Sequence, residues 1–244
     1  LLNNLGNILI DLNKCKDAIK VIKKAISINS SESSFFSNLG RALFFLGKYK
    51  DAEKILINSL TLNPNNHEAR LMFFYLLIVK NDLKKAWLYF ESRLNVKNYF
   101  IPKNLNFIKN IKNKKILVLR EAGLGDEILY SSLYPELIKK NNNIVIECDK
   151  RLKSIYKRSF NYDKFIPKSL RLKSKTNLKK FDFSIYAGSL CGIFRNNLSD
   201  FNYRKYLKPK NELVNHFQRK LTNINQLPKI GISWKSTRLD LGKD

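Results

Sequence analysis

The first hundred residues carry apolar positions at helical spacing, and the pattern returns with a constant offset of 34 residues. Gly6 returns as Gly40, while Ala18 returns as Ala52 and again as Ala86. Between these anchors, apolar side chains recur every three or four residues, which is the spacing of one face of an amphipathic helix. A repeat of this length accommodates two short helices and a turn. The pattern therefore predicts an α solenoid over residues 1–98.

The small residues of this pattern resemble those of the tetratricopeptide repeat. Gly6 and Gly40 match the small position at which its two helices touch, and Pro64 matches its terminating proline. Small residues allow the helices to approach closely, and a larger side chain would separate them at a cost of about 1–3 kcal/mol. The third copy is looser, because Phe73 and Phe74 stand where Leu-Gly stood in the first two.

The resemblance leaves two roles open for the solenoid. Repeats of this kind bind peptides or proteins on a concave face, or they form a spacer and docking surface for the domain that follows. We expect the aromatic residues at helical spacing to belong to the core rather than to a ligand site. These residues are Phe44, Phe45, Phe74, Tyr75 and Trp87. Three repeats are only marginally stable alone, so we expect further copies before Leu1.

The pattern changes beyond residue 113. Residues 99–113 are basic and irregular, and we interpret them as a linker. From residue 114 onward, short apolar runs alternate with helical segments, which predicts a parallel sheet with right-handed crossovers. The predicted strands are Ile116–Leu119, Ile144–Cys148, Phe165–Ile166, Phe181–Ala187 and Lys229–Trp234. The predicted helices are 126–140, 150–159 and 211–221. Residues 114–244 are therefore expected to form an α/β, Rossmann-like domain.

A glycine-rich turn follows the first predicted strand, with Gly123 and Gly125 just before Asp126. Proteins of the α/β class place ligands at such turns, because the start of a helix offers unpaired backbone N–H groups and a positive dipole end. Glycine permits positive φ at the turn and lets a ligand approach the backbone. Asp126 is therefore either a helix cap or a catalytic carboxylate.

Taken together, five segments resemble the N-terminal half of a GT-B glycosyltransferase, and more closely bacterial proteins in which tetratricopeptide repeats precede a heptosyltransferase-like domain. The segments are Arg120–Ile128, Glu147–Leu152, Phe181–Phe183, Gly188–Leu190 and Ile230–Lys235. The resemblance implies inverting transfer of a sugar from a nucleotide-sugar donor to an acceptor hydroxyl of a glycan or protein. It also implies a second Rossmann-like domain that holds most of the donor. We therefore interpret the sequence as a fragment that cannot complete turnover.

The resemblance assigns Asp126 as the general base, because a carboxylate can take the proton of a poorly nucleophilic hydroxyl as the new bond forms. Further residues are assigned to substrate binding: Gly123, Leu124, Gly125, Glu127, Lys235, Ser236, Arg238 and Lys243. The last four follow the final predicted strand, where they are expected to contact donor phosphates. A solvated basic loop is the alternative for them.

Two other functions are open. A dinucleotide-binding domain would use Gly123 and Gly125 for the pyrophosphate and Glu147, at the end of the next strand, for the ribose. The position of its third glycine holds Ile128, which weakens this hypothesis. The other alternative is a non-catalytic scaffold, in which the repeats mediate protein-protein interaction and the α/β half is a remnant.

The formal net charge is +26, which by itself favours nucleic acid or an anionic surface as a partner. The basic residues are spread along the whole chain, however, and abundant Lys, Asn and Ile are typical of an AT-rich genome, so nucleic-acid binding is disfavoured. Cys15, Cys148 and Cys191 lack metal-ligand spacing, and we predict no metal site, disulfide or cofactor. No apolar run approaches the ~20 residues of a membrane span. We expect a cytoplasmic location, with attraction to the inner membrane surface.

Overall fold

A computed structural model of the protein describes residues 1–97, 113–167, 180–201 and 204–222. Its first part consists of three antiparallel helix pairs followed by a short helix. The pairs are α1 (Leu2–Asp11) with α2 (Cys15–Ile28), α3 (Ser33–Phe45) with α4 (Tyr49–Leu62), and α5 (His67–Val79) with α6 (Leu83–Phe90); α7 is Ser92–Val96. Each pair packs on the next, so the predicted arrangement of paired helices is present.

The same turn closes each of the three helix pairs. Asn13, Gly47 and Asn81 have positive φ values of 59°, 73° and 59°. After each of them, the next backbone N–H donates to a carbonyl five residues earlier in the chain, at 2.8–3.0 Å. This bond pattern ends a helix at a left-handed residue, a conformation that glycine and asparagine adopt most readily. The third pair therefore keeps the turn of the repeat although its helices have diverged in sequence.

Close helix approach explains the small residues of the first two pairs. A Cβ atom added to Gly40 would lie 2.6 Å from Cδ2 of Leu56, and one added to Gly6 would collide with Ile22. In the third pair Phe74 occupies this position and packs against an aromatic ring of α6, with the ring centroids 4.6 Å apart. The third pair is thus held by aromatic packing instead of close backbone contact.

The aromatic residues of the repeats do not all lie in the core, contrary to the expectation above. Phe74 is buried and Trp87 is partly buried, but Phe45 and Tyr75 are 59% and 43% exposed. These two side chains therefore lie largely at the surface of the repeats. Helical spacing identifies residues on one face of a helix, and it does not distinguish a face that packs on a neighbour from a face that meets solvent.

The second part contains four parallel strands. They are β1 (Ile116–Leu119), β2 (Ile144–Cys148), β3 (Phe165–Pro167) and β4 (Phe183–Tyr186), in the order β3-β2-β1-β4. Leu117 lies opposite Val145 on one side and Ser184 on the other. The parallel sheet therefore agrees with the sequence interpretation for these strands, whereas the strand predicted at 229–234 lies outside the described residues.

The helix predicted over 126–140 is instead two helices, α8 (Leu124–Ser131) and α9 (Tyr134–Lys140). Pro135 lies in the first turn of α9. Proline has no backbone N–H and its ring clashes with the preceding turn, so it is tolerated at the start of a helix and disfavoured inside one. The proline therefore breaks the segment in two. Helix α10 (Lys153–Phe160) follows β2, α11 (Cys191–Phe194) follows β4, and α12 (Asn211–Thr222) comes last.

Different parts of the chain cover the two faces of the sheet. Ile116, Val118 and Ile146 belong to a core that also contains side chains of α8, α9 and α10. On the opposite face, Leu117 and neighbouring side chains pack with Leu94, which belongs to α7. Parallel sheets are normally buried on both faces. Among the described residues, the last helix of the repeat region therefore covers part of the second face of the sheet.

Candidate functional site

The carboxyl ends of β1 and β4 meet at the point where the strand order reverses. The chain proceeds from β1 to β2 and β3 on one side, and β4 then pairs with the other side of β1. In open α/β sheets the loops diverge at such a point, and ligands bind in the crevice that they leave. The loop from Arg120 to Gly123, which joins β1 to α8, lies there. We call this segment the β1–α8 loop.

Backbone strain in the β1–α8 loop lies at a residue that the sequence did not indicate. Ala122 has a φ of 56°, a conformation that alanine rarely adopts. Gly123, which the sequence analysis expected to take positive φ, has a φ of −87° and a ψ of 179°. Gly125 is helical, and a Cβ atom placed on it would meet nothing within 4 Å. Neither glycine is required by its backbone conformation or by crowding.

Asp126 is exposed at the start of α8. Its Oδ2 accepts the backbone N–H of Gly123 at 3.2 Å, as a residue in the third helical position does in a capping box. The residue as a whole remains exposed to solvent. The side chain thus serves as a cap and is also reachable from outside, so the two roles considered for it are compatible in geometry.

Glu127, the neighbouring candidate, points into the protein and is only 1% exposed. Its carboxylate accepts the backbone N–H of Asp149 at 2.8 Å and pairs with the guanidinium of Arg120. Arg120 follows β1 and Asp149 follows β2. Glu127 therefore ties together the carboxyl ends of these two strands, and its position suits a brace better than a substrate ligand.

Two acidic side chains beside Glu127 complete this brace. Hydrogen bonds from the guanidinium of Arg151 hold the pKa of Asp149 well below its usual range, so Asp149 is ionised at neutral pH. Glu147 is buried at the end of β2, and its carboxylate accepts the backbone N–H of Arg120 at 3.2 Å. A ribose-binding acid must reach the ligand, so the burial of Glu147 does not favour the dinucleotide alternative.

Glu121 and Arg93 form a buried ion pair at the same crevice, and the sequence analysis did not identify either residue. Nε and Nη2 of Arg93 each lie 2.9 Å from a carboxylate oxygen of Glu121, which also accepts the backbone N–H of Gly188. Glu121 lies within the segment that carried the family resemblance, but no periodicity connects it with Arg93 in the repeat region.

The other candidates from the sequence lie elsewhere or cannot be placed. Leu124 begins α8 and packs partly against the core under the sheet. The residues expected to bind donor phosphates all fall outside the described residues. They are Lys235, Ser236, Arg238 and Lys243. Within the described ranges, His, Cys, Asp and Glu side chains form no group of three or more that could hold a metal ion.

The repeats present a second candidate surface where α1, α3 and α5 lie side by side. We call it the first-helix face. It comprises Asn3, Asn7, Asp11, Asn38, Arg41, Phe44, Phe45 and Tyr75. The amide of Asn38 donates to Oδ1 of Asn3 at 2.9 Å, and Arg41 pairs with Asp11. Buried Oδ1 of Asn7 and buried Nε of Arg41 have no hydrogen-bond partner among the described residues.

Aromatic rings continue this face toward the third helix pair. The rings of Phe44 and Tyr75, which lie on α3 and α5, have centroids 6.4 Å apart. Phe45 is one helical turn beyond Arg41 and exposes most of its side chain. The first-helix face therefore combines amide and guanidinium donors with exposed aromatic surface.

Comparisons with known proteins establish the class of the first two helix pairs. A family model described as tetratricopeptide repeat matches residues 1–32 and 34–66. These residues are therefore tetratricopeptide repeats, and in the structure an α/β unit with a four-stranded parallel sheet follows them. None of the helices in the described ranges has the length and apolar character that crossing a bilayer requires.

Protein FlbA and one solved structure are among the proteins that are similar to this chain. Protein FlbA of Caulobacter vibrioides is 22% identical over 183 residues, which cover 68% of this chain and 31% of FlbA. The chain thus spans about a third of the length of that relative. The solved structure is the first TPR of Spaghetti (RPAP3) bound to the HSP90 peptide SRMEEVD, and its sequence is 21% identical to this chain. The match covers 41% of this chain and 79% of the Spaghetti chain, with a TM-score of 0.37.

Proposed function

We propose that this protein is an interaction module whose repeats bind an extended peptide segment of a partner protein on the first-helix face, the surface that corresponds to the concave face expected of such repeats. The observation that carries the proposal is the exposure of Phe45 and Tyr75 on a face that also carries the partly exposed side chains of Asn7 and Arg41. In this proposal residues 1–98 form the repeat domain.

The chemistry of the face suits an extended chain. A peptide in an extended conformation presents free backbone N–H and C=O groups, and side-chain amides can pair with both kinds of group. The side chain of Arg41 is 27% exposed beside Asp11, so its guanidinium can also donate to a carbonyl or a carboxylate of the peptide. Aromatic rings are enriched among the residues that dominate binding energy at interfaces. We therefore expect the partner segment to place an apolar side chain near Tyr75 and an acidic or amide group near Arg41.

Selection from a random dodecapeptide library on the immobilised chain tests this proposal. We expect a selected peptide to bind the double variant Arg41→Ala/Tyr75→Ala about tenfold or more weakly, as for loss of two central contacts. Ile57→Ala is the matched control, because Ile57 is exposed on α4, outside the face; its affinity should be unchanged in fluorescence polarisation. Peptides that bind the double variant and the wild type equally would contradict the proposed site.

A second function is favoured for the α/β part by the solvent-reachable carboxylate of Asp126 at the crevice. Here the α/β part, taken as residues 114–244 after a linker at 99–113, is the acceptor-side half of an inverting glycosyltransferase of the GT-B class. Asp126 removes the proton of the acceptor hydroxyl, and the backbone N–H groups of Leu124 and Gly125 at the start of α8 bind substrate beside Gly123. The nucleotide-sugar donor is held mainly by a further domain. A cytoplasmic location at the inner membrane surface accompanies this function.

The variant Asp126→Asn in the full-length protein distinguishes the role of Asp126 as a general base from its role as a helix cap. Asparagine retains an oxygen that accepts the N–H of Gly123, so α8 should be preserved, but it cannot take a proton. We expect release of nucleotide from a panel of nucleotide sugars to fall by about 10²-fold or more. Asp163→Asn is the control, because Asp163 is an exposed carboxylate outside the crevice. Unchanged turnover in Asp126→Asn would remove Asp126 from the chemistry.

A further inference from the structure

We infer that Arg93 is a positioning residue through which the repeat region fixes the conformation of the β1–α8 loop. The inference goes beyond the functions proposed above and does not depend on them. It connects two parts of the chain that the sequence treats as separate domains. It rests on the buried contacts that join α6 and α7 to the carboxyl edge of the sheet.

The guanidinium of Arg93 is held on several sides. It is 4% exposed and meets Glu121 through two nearly parallel N–H···O contacts of 2.9 Å. Nη1 donates to the carbonyl of Phe90 at 3.2 Å and to Glu91 at 3.1 Å, and Nη2 also donates to Ser189 at 2.9 Å. Such a planar fork matches a carboxylate in both distance and direction, which a lysine cannot reproduce.

Glu121 carries the constraint from Arg93 to the ends of two strands. It lies two residues after β1, and one of its carboxylate oxygens accepts the backbone N–H of Gly188, which lies two residues after β4. A Cβ atom added to Gly188 would lie 2.7 Å from Oε1 of Glu121 and 3.2 Å from Nη2 of Arg93. The ion pair therefore lies at the switch point, and the backbone at Gly188 is packed against it.

Electrostatics make this pair sensitive to the loss of either partner. Burial alone would lower the pKa of Arg93, but hydrogen bonds and attraction from Glu121 and Glu91 outweigh burial and raise it. The guanidinium therefore remains charged. A buried charge without its partner is strongly unfavourable, so a loop that releases Glu121 from Arg93 must bring the carboxylate to water.

Two further side chains of the repeat region, those of Trp87 and Leu94, pack against the α/β unit. Nε1 of Trp87 donates to the backbone carbonyl of Arg195 at 2.6 Å, and a Cβ atom added to Gly192 would lie 3.2 Å from Cβ of Trp87. Leu94 packs on the second face of the sheet. These contacts hold α6 and α7 against the α/β unit, so the backbone that carries Arg93 is fixed in position. Because Ala122 follows Glu121 directly, fixing Glu121 also fixes the strained residue before Gly123.

Hydrogen exchange on the whole chain tests the inference. The variants are Arg93→Met, Glu121→Gln and the double variant, which buries no unpaired charge and so is the one expected to fold most like the wild type. In the double variant we expect amide exchange in residues 120–127 to quicken about 10- to 100-fold, as when a local contact to a buried charged group is lost. Exchange in β2 should stay within about twofold, because local opening leaves the central strands closed.

Arg70→Met is the matched control. Arg93 lies 3.9 Å from the ring centroid of Phe90, and Arg70 similarly lies 5.2 Å from that of Tyr89. Arg70 also donates to Ser92 at 2.9 Å, but its partners belong to the repeat region. Faster exchange in this variant should remain in α5 to α7. Unchanged exchange of residues 120–127 in the double variant would overturn the inference. A rise of equal size throughout the α/β unit would do the same, since it would indicate global destabilisation instead of loop positioning.

Discussion

Replacing Leu94 with alanine tests whether the repeats and the sheet form one folded unit. Leu94 is 1% exposed and packs with Leu117, Leu119 and Tyr186 on the second face of the sheet. The substitution removes three buried carbon atoms, each worth about 0.8 kcal/mol in transfer free energy, or about 2.4 kcal/mol together. Incomplete collapse of the cavity adds to this value, so the free energy of unfolding should fall by about 2–4 kcal/mol.

Urea denaturation followed by circular dichroism measures this loss, which should also lower the melting temperature by about 2–4 °C per kcal/mol in a chain of this size. Leu88→Ala is the matched control, because Leu88 is 69% exposed on α6 and should cost no more than about 0.5 kcal/mol. If Leu94→Ala cost as little as Leu88→Ala, α7 would not be a structural part of the α/β unit. The inference that the backbone of Arg93 is held against the sheet would then lose the support of the Leu94 contact.

Three further predictions concern packing and protonation. Gly40→Ala should lower the melting temperature, because the added Cβ would lie 2.6 Å from Leu56 and such overpacking costs about 1–3 kcal/mol, whereas Gly125→Ala has open space and should leave it unchanged or higher. Tyr134→Phe should maintain or increase stability in urea titration, because the buried hydroxyl of Tyr134 has no hydrogen-bond partner among the described residues. Burial raises the pKa of Cys191 to about 12; iodoacetamide should therefore react slowly at pH 8 in the folded protein, and the stability contributed by the protonated thiol should be lost as the pH rises from about 9 toward 12.

The repeat architecture could be predicted because its cause is periodic. Gly40 and its counterpart in the first pair are small because the two helices approach closely at both crossings, so the spacing alone identified them. Asn13, Gly47 and Asn81 share the same offset and mark the turns, a signal that the sequence analysis did not use. The break before Pro135 also follows from a local rule, and a helix drawn through that residue was wrong.

The crevice could not be predicted to the same extent, because its contacts join residues that no spacing relates. Arg93 and Glu121 are separated by 28 positions and by the end of the repeat pattern. A periodic pattern predicts that a side chain is buried, but it does not predict which charged group that side chain contacts. Glu127 and Asp126 are adjacent in sequence, yet one is buried and the other exposed, since a step of one residue turns about 100° around the helix. Only the packing of α8 decides which one faces solvent.

The β1–α8 loop contradicts the local preferences that the rest of the chain follows. Ala122 occupies a positive-φ conformation that costs alanine about 1 kcal/mol or more relative to glycine. Gly125 occupies a helical position where alanine would fit and would be favoured by about 1 kcal/mol. A loop shaped for stability alone would carry glycine at 122 and alanine at 125. Natural sequences depart from local consistency mainly at functional sites, so this reversal favours a loop whose bare backbone at the start of α8 meets something other than the protein itself.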